Sequence, residues 1–295
     1  MELRQLKYFE KACELQNFSE AARLLYISQS TLSQQIKQLE EELDTLLFDR
    51  IGKRVILTEA GKAFLPYARK AIQDAESGKQ IIKDLKGLET GILNIGATYS
   101  LSNLLTVALT AFTNAYPKIK VNITFATSNE LLRELSEGHI DCALSFMPEE
   151  SDGKFETLPL FSSRLYFIVH KLHPLSDISA ITLKRLSETP LILPARGFAT
   201  RQKTEEMCRA KKLDLNIAME INDVQTIIHL LYGGKWGTIL TEAAIRNEQD
   251  LIKIPIISVE HLTTKGFLFW PKDVYRKKST LVFADLLQQA IKQRL

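Results

Sequence analysis

The sequence predicts a helical N-terminal domain, one long helix and an α/β domain that occupies the rest of the chain. Three observations support this fold class. Apolar residues up to Leu43 recur at helical spacing, a helical pattern then runs from Thr58 to about Leu88, and short apolar strands alternate with helices from Gly91 onwards. Such alternation is typical of a sheet with parallel strands whose faces are covered by helices.

The composition is that of a globular protein with more than one compact unit. The chain has 295 residues, of which 45% are hydrophobic and 25% charged, and its net charge of +3 does not by itself indicate a partner. The first residues carry charges throughout, unlike a secretion signal, and no apolar run approaches the roughly 20 residues of a membrane span. We therefore expect a cytoplasmic protein without a membrane partner.

The first two helices are predicted at residues 2–15 and at about 20–26. Leu3, Leu6, Phe9 and Cys13 mark the buried face of the first helix. Ser19 is a suitable N-cap for the second helix. The third helix follows Ser28, another N-cap residue.

The third helix presents two contrasting faces. Leu32, Ile36, Leu39 and Leu43 recur at spacings of 4, 3 and 4, so they form one buried stripe. The opposite face carries Ser30, Gln34 and Lys37, and amides, hydroxyls and lysine suit base edges and phosphate oxygens. A second helix with such a face, after a tight polar turn, is typical of a helix-turn-helix. The alternative is that some of these side chains only solvate the helix.

Residues 46–57 are predicted to form a β-hairpin whose turn is Gly52-Lys53-Arg54. Arg50 and Arg54 are its candidates for contacts with the DNA backbone or minor groove. The alternative for Arg50 is an ion pair with a helix acid inside the domain.

The long helix begins after Thr58 and carries a sustained heptad. The heptad predicts a coiled-coil seam with a second copy of the chain, and hence a homodimer. The alternative is a helix that packs on its own C-terminal domain, and Pro66 is expected to kink it. The seam residues are Phe64, Ala68, Ala71, Ala75, Gly78, Ile82 and Leu85.

The segments SQSTLSQQIKQLEEEL, LFDR and LTEAG, in this order, resemble the DNA-binding domain of the LysR-type transcriptional regulators over roughly residues 1–88. The family usually has a glycine after the recognition helix, where this chain has Asp44; aspartate tolerates the left-handed conformation better than most residues. The resemblance implies DNA contacts at Gln29, Ser30, Thr31, Ser33, Gln34 and Lys37.

The resemblance also implies the domain organisation. A winged helix-turn-helix is expected at 1–57, a linker and dimerisation helix at 58–88, and an effector-binding domain at 91–295. The last domain would resemble periplasmic binding proteins, with mixed, mainly parallel sheets in two lobes. Lobe I is expected at about 91–161 and 267–295, and lobe II at about 162–266.

The candidate effector-binding residues follow strands of the predicted sheets. Ligands of open α/β sheets bind beyond the carboxyl ends of strands, where helix N-termini supply free N–H groups. The alternative is that the hydroxyls are only N-caps. A glycine-bearing turn with Arg196 and Arg201 at a helix start suits a carboxylate or another small anion. The candidates are Thr98, Tyr99, Ser100, Ser128, Asn129, Phe146, Arg196, Phe198 and Thr200.

The function implied by the resemblance is sequence-specific regulation of transcription. An anionic small-molecule effector would bind between the lobes and alter both the packing of dimers into a homotetramer and the bending of double-stranded DNA. RNA polymerase is a further candidate partner. We predict no cofactor, no metal ligands and no catalytic residues.

Three alternatives remain open at this point. An enzyme is disfavoured because the histidines are scattered, with His170 and His173 as the only close pair. A thiol switch would use Cys208, but the position nine residues earlier is Ala199, so the cysteine pair of peroxide sensors in the family is missing. The third alternative is a constitutive DNA-binding protein with a vestigial effector lobe.

Overall fold

The computed structural model describes residues 1–51, 54–85, 87, 90–146, 153–245, 248–257 and 262–292, with backbone only at Arg50, Ile51 and Arg54. The chain divides into two compact units, Met1–Leu85 and Lys86–Leu295. None of the helices in these ranges combines the length and the apolar character needed to cross a membrane.

The first unit is helical apart from one hairpin. Its elements are α1 (Leu3–Leu15), α2 (Phe18–Leu24), α3 (Gln29–Glu42), β1 (Phe48–Ile51), β2 (Arg54–Leu57) and α4 (Glu59–Leu85). Strands β1 and β2 pair antiparallel, with Phe48 opposite Leu57, which confirms the predicted hairpin. Gly52 and Lys53 of its predicted turn lie outside the described residues.

The capping prediction for α2 is wrong. The helix begins one residue before Ser19, at Phe18, and the side chain of Asn17 accepts hydrogen bonds from the backbone N–H groups of Ser19 and Glu20. Asn17 is an equally good N-cap residue. Asn17 rather than Ser19 is the N-cap because Phe18 is buried in the domain core as the first residue of the helix.

The core of the first unit forms where α1, α3 and α4 meet. Phe9, Leu32, Ile36 and Leu39 are fully buried there, and the ring centroid of Phe9 lies 5.3 Å from that of Phe48 in the hairpin. Each such side chain contributes about 2 kcal/mol through burial. The predicted apolar stripe of the third helix is therefore confirmed.

Helix α4 begins after Thr58, as predicted, because the Thr58 hydroxyl accepts a hydrogen bond from the Gly61 N–H at 3.0 Å. A Cβ atom at Gly61 would lie 2.2 Å from the Leu47 carbonyl oxygen, so only glycine lets the helix pass so close to this backbone. The helix continues through Pro66 and ends at Leu85, whereas Leu88, its predicted end, lies outside the described residues.

The second unit is an α/β structure around one continuous path of hydrogen-bonded strands. The order is β4-β3-β5-β12-β6-β10-β8-β9, and β11 pairs with both β6 and β7. The strands are β3 (Gly91–Ala97), β4 (Ile119–Phe125), β5 (Cys142–Phe146), β6 (Phe155–His170), β7 (Ile181–Thr182), β8 (Leu191–Pro194), β9 (Ile217–Ile221), β10 (Gly237–Thr241), β11 (Leu251–Ile257) and β12 (Thr263–Pro271).

Helices cover both groups of strands. They are α5 (Ser102–Ala115), α6 (Ser128–Ser136), α7 (Leu183–Glu188), α8 (Ala199–Ala210), α9 (Val224–Leu231) and α10 (Lys278–Lys292), with short 3-10 turns at Tyr99–Leu101 and Glu242–Ile245. Strands β3, β4 and β5 pair in parallel, as do β8, β9 and β10, whereas β6 and β12 pair antiparallel with their neighbours. The predicted mixed sheets are confirmed.

The strands change partners at the passage between the two lobes. Residues 155–164 of β6 pair with β12, whereas residues 165–169 of the same strand pair with β10. The return passage is at Leu262, whose carbonyl oxygen accepts a hydrogen bond from the Leu165 N–H at 2.8 Å. Both passages lie slightly inside the range 162–266 expected for lobe II.

Candidate functional site

The first turn of α3 is fixed by a hydroxyl cluster. The Ser28 hydroxyl accepts a hydrogen bond from the Thr31 N–H at 3.0 Å, which confirms Ser28 as the N-cap. The same oxygen lies 2.8 Å from the Ser30 hydroxyl and 2.7 Å from the Thr31 hydroxyl. The N–H groups of Gln29 and Ser30 have no partner within the helix, so the positive end of α3 is open to an anion such as a DNA phosphate.

The predicted contact face of α3 is exposed. Lys37 lies 3.5 Å from Glu41, but this pair is solvent-accessible and therefore weak, so the lysine is available to a phosphate. Ser33 is half-buried. Gln29, Ser30, Thr31, Gln34 and Lys37 are all exposed.

Glu40 is a residue that the sequence analysis missed. It lies on the opposite side of α3, is buried, and its Oε1 accepts hydrogen bonds from the backbone N–H groups of Leu47 at 2.8 Å and Phe48 at 3.2 Å. These bonds tie the start of the hairpin to the recognition helix. The position of the wing thus depends on one carboxylate of α3.

Two residues beside α3 have left-handed backbone conformations. Asp44 has a φ of 50°, as predicted for the position where relatives usually have glycine. Tyr26, in the turn before α3, has a φ of 57° and an exposed fraction of 95%. Burial does not stabilise this exposed tyrosine side chain, and glycine or asparagine would adopt the left-handed backbone conformation more easily.

The hairpin arginines are placed only by their backbone. Arg50 pairs with Val55 and Arg54 with Ile51 in the β1–β2 ladder. Their side chains lie outside the described atoms, so both proposed DNA contacts stay predictions.

The predicted dimer seam is divided by the fold. Ala68 is buried in the core of its own unit, and the ring of Phe64 lies 5.5 Å from that of Phe9. These two residues pack within the chain, because the first half of α4 covers α1. Further along the helix, a Cβ atom added at Gly78 would meet no neighbouring atom of the described residues within 4 Å, so the space beside Gly78 is open. Ile82 and Leu85 are exposed. The part of the seam that is open to a partner therefore begins after Ala68, with Ala71 exposed and Ala75 half-buried.

Three turns of the second unit meet where the effector site was predicted. Tyr99, from the turn after β3, stacks on Phe125 with ring centroids 4.9 Å apart and also packs on the core of lobe II. Gly197, from the turn after β8, has a φ of 98°, and a Cβ there would lie 3.3 Å from the Thr127 hydroxyl. The turns at 98–100, 127–128 and 196–200 are thus neighbours, although they belong to different lobes.

Two hydroxyls at this junction lack a hydrogen-bond partner. Thr98 and Thr200 are each 2% exposed, and neither Oγ1 atom has a partner among the described residues. Buried hydroxyls are normally satisfied, so unpaired ones need an explanation such as a bound molecule. Capping does not explain Thr98, which makes no side-chain cap bond. Nor does it explain Ser128, because Thr127 caps α6 and Ser128 accepts a hydrogen bond from Ser145 at 2.8 Å.

The remaining predicted effector residues surround the junction unequally. Ser100, Phe146 and Phe198 are buried, whereas Asn129 is exposed. Arg196 is also exposed and lies 3.7 Å from Glu205.

Arg201 does not serve as an open anion-binding group. It is 2% exposed, and its guanidinium donates to Glu205 at 2.8 Å, to Glu220 at 2.8 Å and to the Pro194 carbonyl at 3.0 Å. The prediction that both arginines of this turn suit an anion is therefore wrong for Arg201. A buried guanidinium group requires opposite charges, and Arg201 is paired with Glu205 of its own helix and with Glu220 of β9.

The helix N-termini at the junction differ in what they offer to an anion. Thr127 and Glu130 form a capping box on α6, and hydrogen bonds from the backbone N–H and hydroxyl of Thr127 hold the pKa of Glu130 below its usual range. This negative charge disfavours an anion at α6. Helix α8 has no side-chain cap, since its N-cap residue is Phe198. The N-terminus of α8 is therefore the better anion site.

The residues considered for enzymatic, metal or redox roles have structural explanations. The Nδ1 atoms of His170 and His173 accept backbone hydrogen bonds from Leu172 at 3.3 Å and Leu175 at 3.1 Å. Cys208 is buried in the core of lobe II, and burial raises the pKa of its thiol.

One group of potential metal ligands occurs near the end of α6. Glu134, Glu137 and His139 each offer one ligand atom within 4.8 Å of the others. The His139 Nδ1 lies 2.9 Å from the Glu134 carboxylate, and the three side chains are at least partly exposed. These contacts are those of surface side chains joined by a hydrogen bond.

The two units match two known families. The family described as "Bacterial regulatory helix-turn-helix protein, lysR family" matches residues 3–62, and the family described as "LysR substrate binding domain" matches residues 86–292. An uncharacterized HTH-type transcriptional regulator, YwqM of Bacillus subtilis, is 30% identical over 295 residues, covering 99% of this chain and 100% of that protein.

Solved structures share the fold over most of the chain. A full-length OxyR variant from Pseudomonas aeruginosa is 23% identical, with a TM-score of 0.76 over 98% of this chain and 95% of that one. Full-length CbnR, solved in a complex with its target DNA, is 24% identical, with a TM-score of 0.62 over 98% of this chain and 100% of that one.

A further solved structure matches the second unit. The regulatory domain of Synechocystis CcmR, in complex with 2-PG, is 18% identical, with a TM-score of 0.62 over 69% of this chain and 98% of that one. The helix-turn-helix, the two-lobed α/β unit and the match of both families across the chain have one common explanation. The chain belongs to the family of LysR-type transcriptional regulators.

Proposed function

We propose that this regulator reads its operator with the exposed face of α3 and senses a small anion at the junction of the two lobes. The contacts with DNA are assigned to Gln29, Ser30, Thr31, Ser33, Gln34 and Lys37, with Arg50 and Arg54 on the wing. The observation that supports this is the contrast between the two sides of α3, one fully buried and one exposed and free of acids up to Glu41.

The anion is expected at the uncapped N-terminus of α8. The unpaired hydroxyls of Thr98 and Thr200 would complete its hydrogen bonds, and Arg196 lies at the same turn. Arg201 does not contact the anion in this proposal, because its charge is already neutralised. The fold shared with CcmR, whose regulatory domain was solved with 2-PG, is compatible with such a ligand.

The oligomer is proposed to form through the exposed part of α4, from Ala71 to Leu85. Dimers of helix-turn-helix proteins bind two half-sites, so the operator should be an imperfect palindrome. We further propose a homotetramer, with lobe closure altering the packing of dimers and the bend of the DNA. The ligand must bind the two lobe arrangements with different affinities, since otherwise it shifts nothing.

We propose no catalytic activity, no resident cofactor and a cytoplasmic location, and RNA polymerase remains a candidate partner. Among the described residues, His170 and His173 accept hydrogen bonds within a turn, and Cys208 packs in the core of lobe II.

The first experiment is selection of genomic fragments by the purified full-length protein, followed by footprinting. Gln34→Ala should relax base preference, whereas Arg54→Ala should weaken binding to all sequences and reduce the salt slope by about one unit. Gln289→Ala and Lys120→Ala alter exposed residues of the second unit and serve as controls. Binding with no preferred site, or equal effects of both substitutions on all sequences, would contradict the assignment.

The effector site is tested by the thermal stability of the full-length protein in inorganic phosphate and in short-chain carboxylates. A ligand at about 100 times its dissociation constant should stabilise the protein by about 2.7 kcal/mol. Thr200→Val removes one hydroxyl with little change of shape and should abolish the stabilisation. Thr113→Val, on the exposed surface of α5, should retain it. Unchanged stabilisation of the Thr200 variant would show that the anion binds elsewhere.

A further inference from the structure

A cavity of the α/β unit lies beside the passage of β6 between the two lobes. It has a volume of about 180 Å³ and is lined by residues of both lobes. Leu104 of α5 and Ile291 of α10 come from lobe I, Ser162 lies on β6 just before its passage between lobes, and Glu242 belongs to a 3-10 turn of lobe II. A molecule in this cavity would therefore contact both lobes next to the passage of β6 between them.

The cavity differs chemically from the predicted anion site. Leu104, Phe161 and Ile291 form an apolar wall, and Ser100, Ser162 and Glu242 supply polar groups. The lining among the described residues contains no lysine or arginine. The Glu242 carboxylate accepts a hydrogen bond from Lys253, which lies outside the lining. The charged side chain of this lining is the Glu242 carboxylate, which disfavours an anion, whereas a hydrogen-bond donor would meet carboxylate and hydroxyl oxygens.

The volume sets the size of the occupant. An engineered apolar cavity of about 150 Å³ holds one benzene molecule. A cavity of about 180 Å³ therefore accommodates one six-membered ring with a small substituent. Gly266 on β12 leaves room for the Phe161 ring of this wall, because a Cβ at this position would lie 2.7 Å from that ring.

We propose that this cavity is a second ligand site, which takes a small uncharged ring compound bearing one hydroxyl or amine donor. The ring would pack on Leu104, Phe161 and Ile291, and the donor would bond to Ser162 or Glu242. The site is separate from the anion junction, since neither Thr98 nor Thr200 lines it.

Two contacts connect the cavity to the predicted effector residues. Ser100 lines the cavity and follows Thr98 in the turn after β3. Phe161 packs edge-on against Phe146, with ring centroids 6.3 Å apart. If the anion prefers one lobe arrangement, as in the proposed function, a ligand of this cavity that shifts the populations of the arrangements also changes the affinity at the junction, and the coupling is reciprocal.

The test uses phenol as the probe and methyl NMR of the full-length protein labelled at Ile and Leu methyl groups. Phenol should shift the methyl signals of Leu104 and Ile291 in a saturable way, with a dissociation constant on the order of 1 mM. Benzoate, the same ring with a negative charge, should leave them unchanged at the same concentrations.

Two substitutions fill the cavity from different walls. Ser162 is exposed, so Ser162→Leu should fold, and Ala243→Leu adds bulk from the lobe II side. Each should weaken phenol binding at least about tenfold. Thr157→Leu, at an exposed position of the same strand β6 outside the lining, is the matched control and should bind phenol normally.

Several results would overturn the proposal. They are the absence of any saturable shift, unchanged binding by both filled variants, or equal shifts from benzoate and phenol. Shifts that spread over methyl groups distant from the cavity would show non-specific binding and would count against it as well. None of these results depends on the anion junction or on DNA binding.

Discussion

Glu40→Ala should release the wing from the recognition helix. The substitution leaves the N–H groups of Leu47 and Phe48 without their acceptor, and the bond at 2.8 Å is the stronger of the two. Each lost hydrogen bond to an ionised acceptor costs about 1.5–3 kcal/mol. Part of this is offset, because a carboxylate no longer has to be buried. We expect a net loss of about 3 kcal/mol.

Hydrogen exchange of the full-length protein measures this loss where it occurs. The Leu47 and Phe48 amides should exchange roughly 100-fold faster in the Glu40→Ala variant, since about 1.4 kcal/mol corresponds to a factor of ten. Glu40→Gln keeps an oxygen acceptor and should lose only about 1 kcal/mol. The control is Glu41→Ala, which removes an exposed, weakly paired acid from the adjacent position and should change little.

Equal exchange of these two amides in the Glu40 and Glu41 variants would contradict the assigned role of Glu40. That result would mean that the hairpin is held by its apolar contacts alone, such as the packing of Phe48 against Phe9.

Three further predictions concern the α/β unit. Gly197→Ala should lower its free energy of unfolding by about 1 kcal/mol, measured by tryptophan fluorescence, because alanine is strained at a φ of 98°. Cys208 should be alkylated at pH 8 at least roughly 100-fold more slowly in the native than in the unfolded protein, because burial raises the pKa of its thiol and limits access. Burial lowers the pKa of His173, so protonation favours the unfolded chain; stability should fall as the pH drops below about 6.5, and less so in His173→Gln.

Each of these predictions has a result that contradicts it. An unchanged unfolding midpoint for the Gly197 variant would show that the turn adapts to a side chain. Rapid alkylation of native Cys208 would revive the thiol-switch hypothesis. Identical pH profiles for wild type and the His173 variant would assign the acid sensitivity to other groups.

Periodicity predicted the buried faces well but could not identify their partners. Leu32, Ile36 and Leu39 form a core because their spacing places them on one side of a helix, whatever surrounds it. The heptad of α4 carries the same kind of information. It cannot distinguish a second chain from α1 of the same chain, so Phe64 and Ala68 were assigned to a seam, although they pack on their own domain.

Charged residues were harder to interpret than apolar ones. In the sequence, Glu40 resembles an ordinary solvent-exposed acid of a helix. Its partners, the N–H groups of Leu47 and Phe48, come close only because the chain turns back after α3. Arg201 resembles a ligand-binding group in the sequence, because its partner Glu220 lies 19 residues further along, on strand β9. Thr98 and Thr200 became candidates because they follow strands, and this stays a prediction; only the structure shows that their hydroxyls are buried and unpaired among the described residues.

The shared strand β6 has a consequence for how this protein is made. Residues 155–164 of β6 pair with β12, which lies about a hundred residues further along the chain. Strand β12 is also the second neighbour of β5. A growing polypeptide on the ribosome can therefore complete the DNA-binding unit early, but it leaves β5 and β6 as open edges until Pro271 has emerged. Translational pauses between codons 170 and 263 would prolong this exposure and favour aggregation or proteolysis. The cellular level of the regulator should thus respond to elongation speed and to chaperone supply over this stretch of the message.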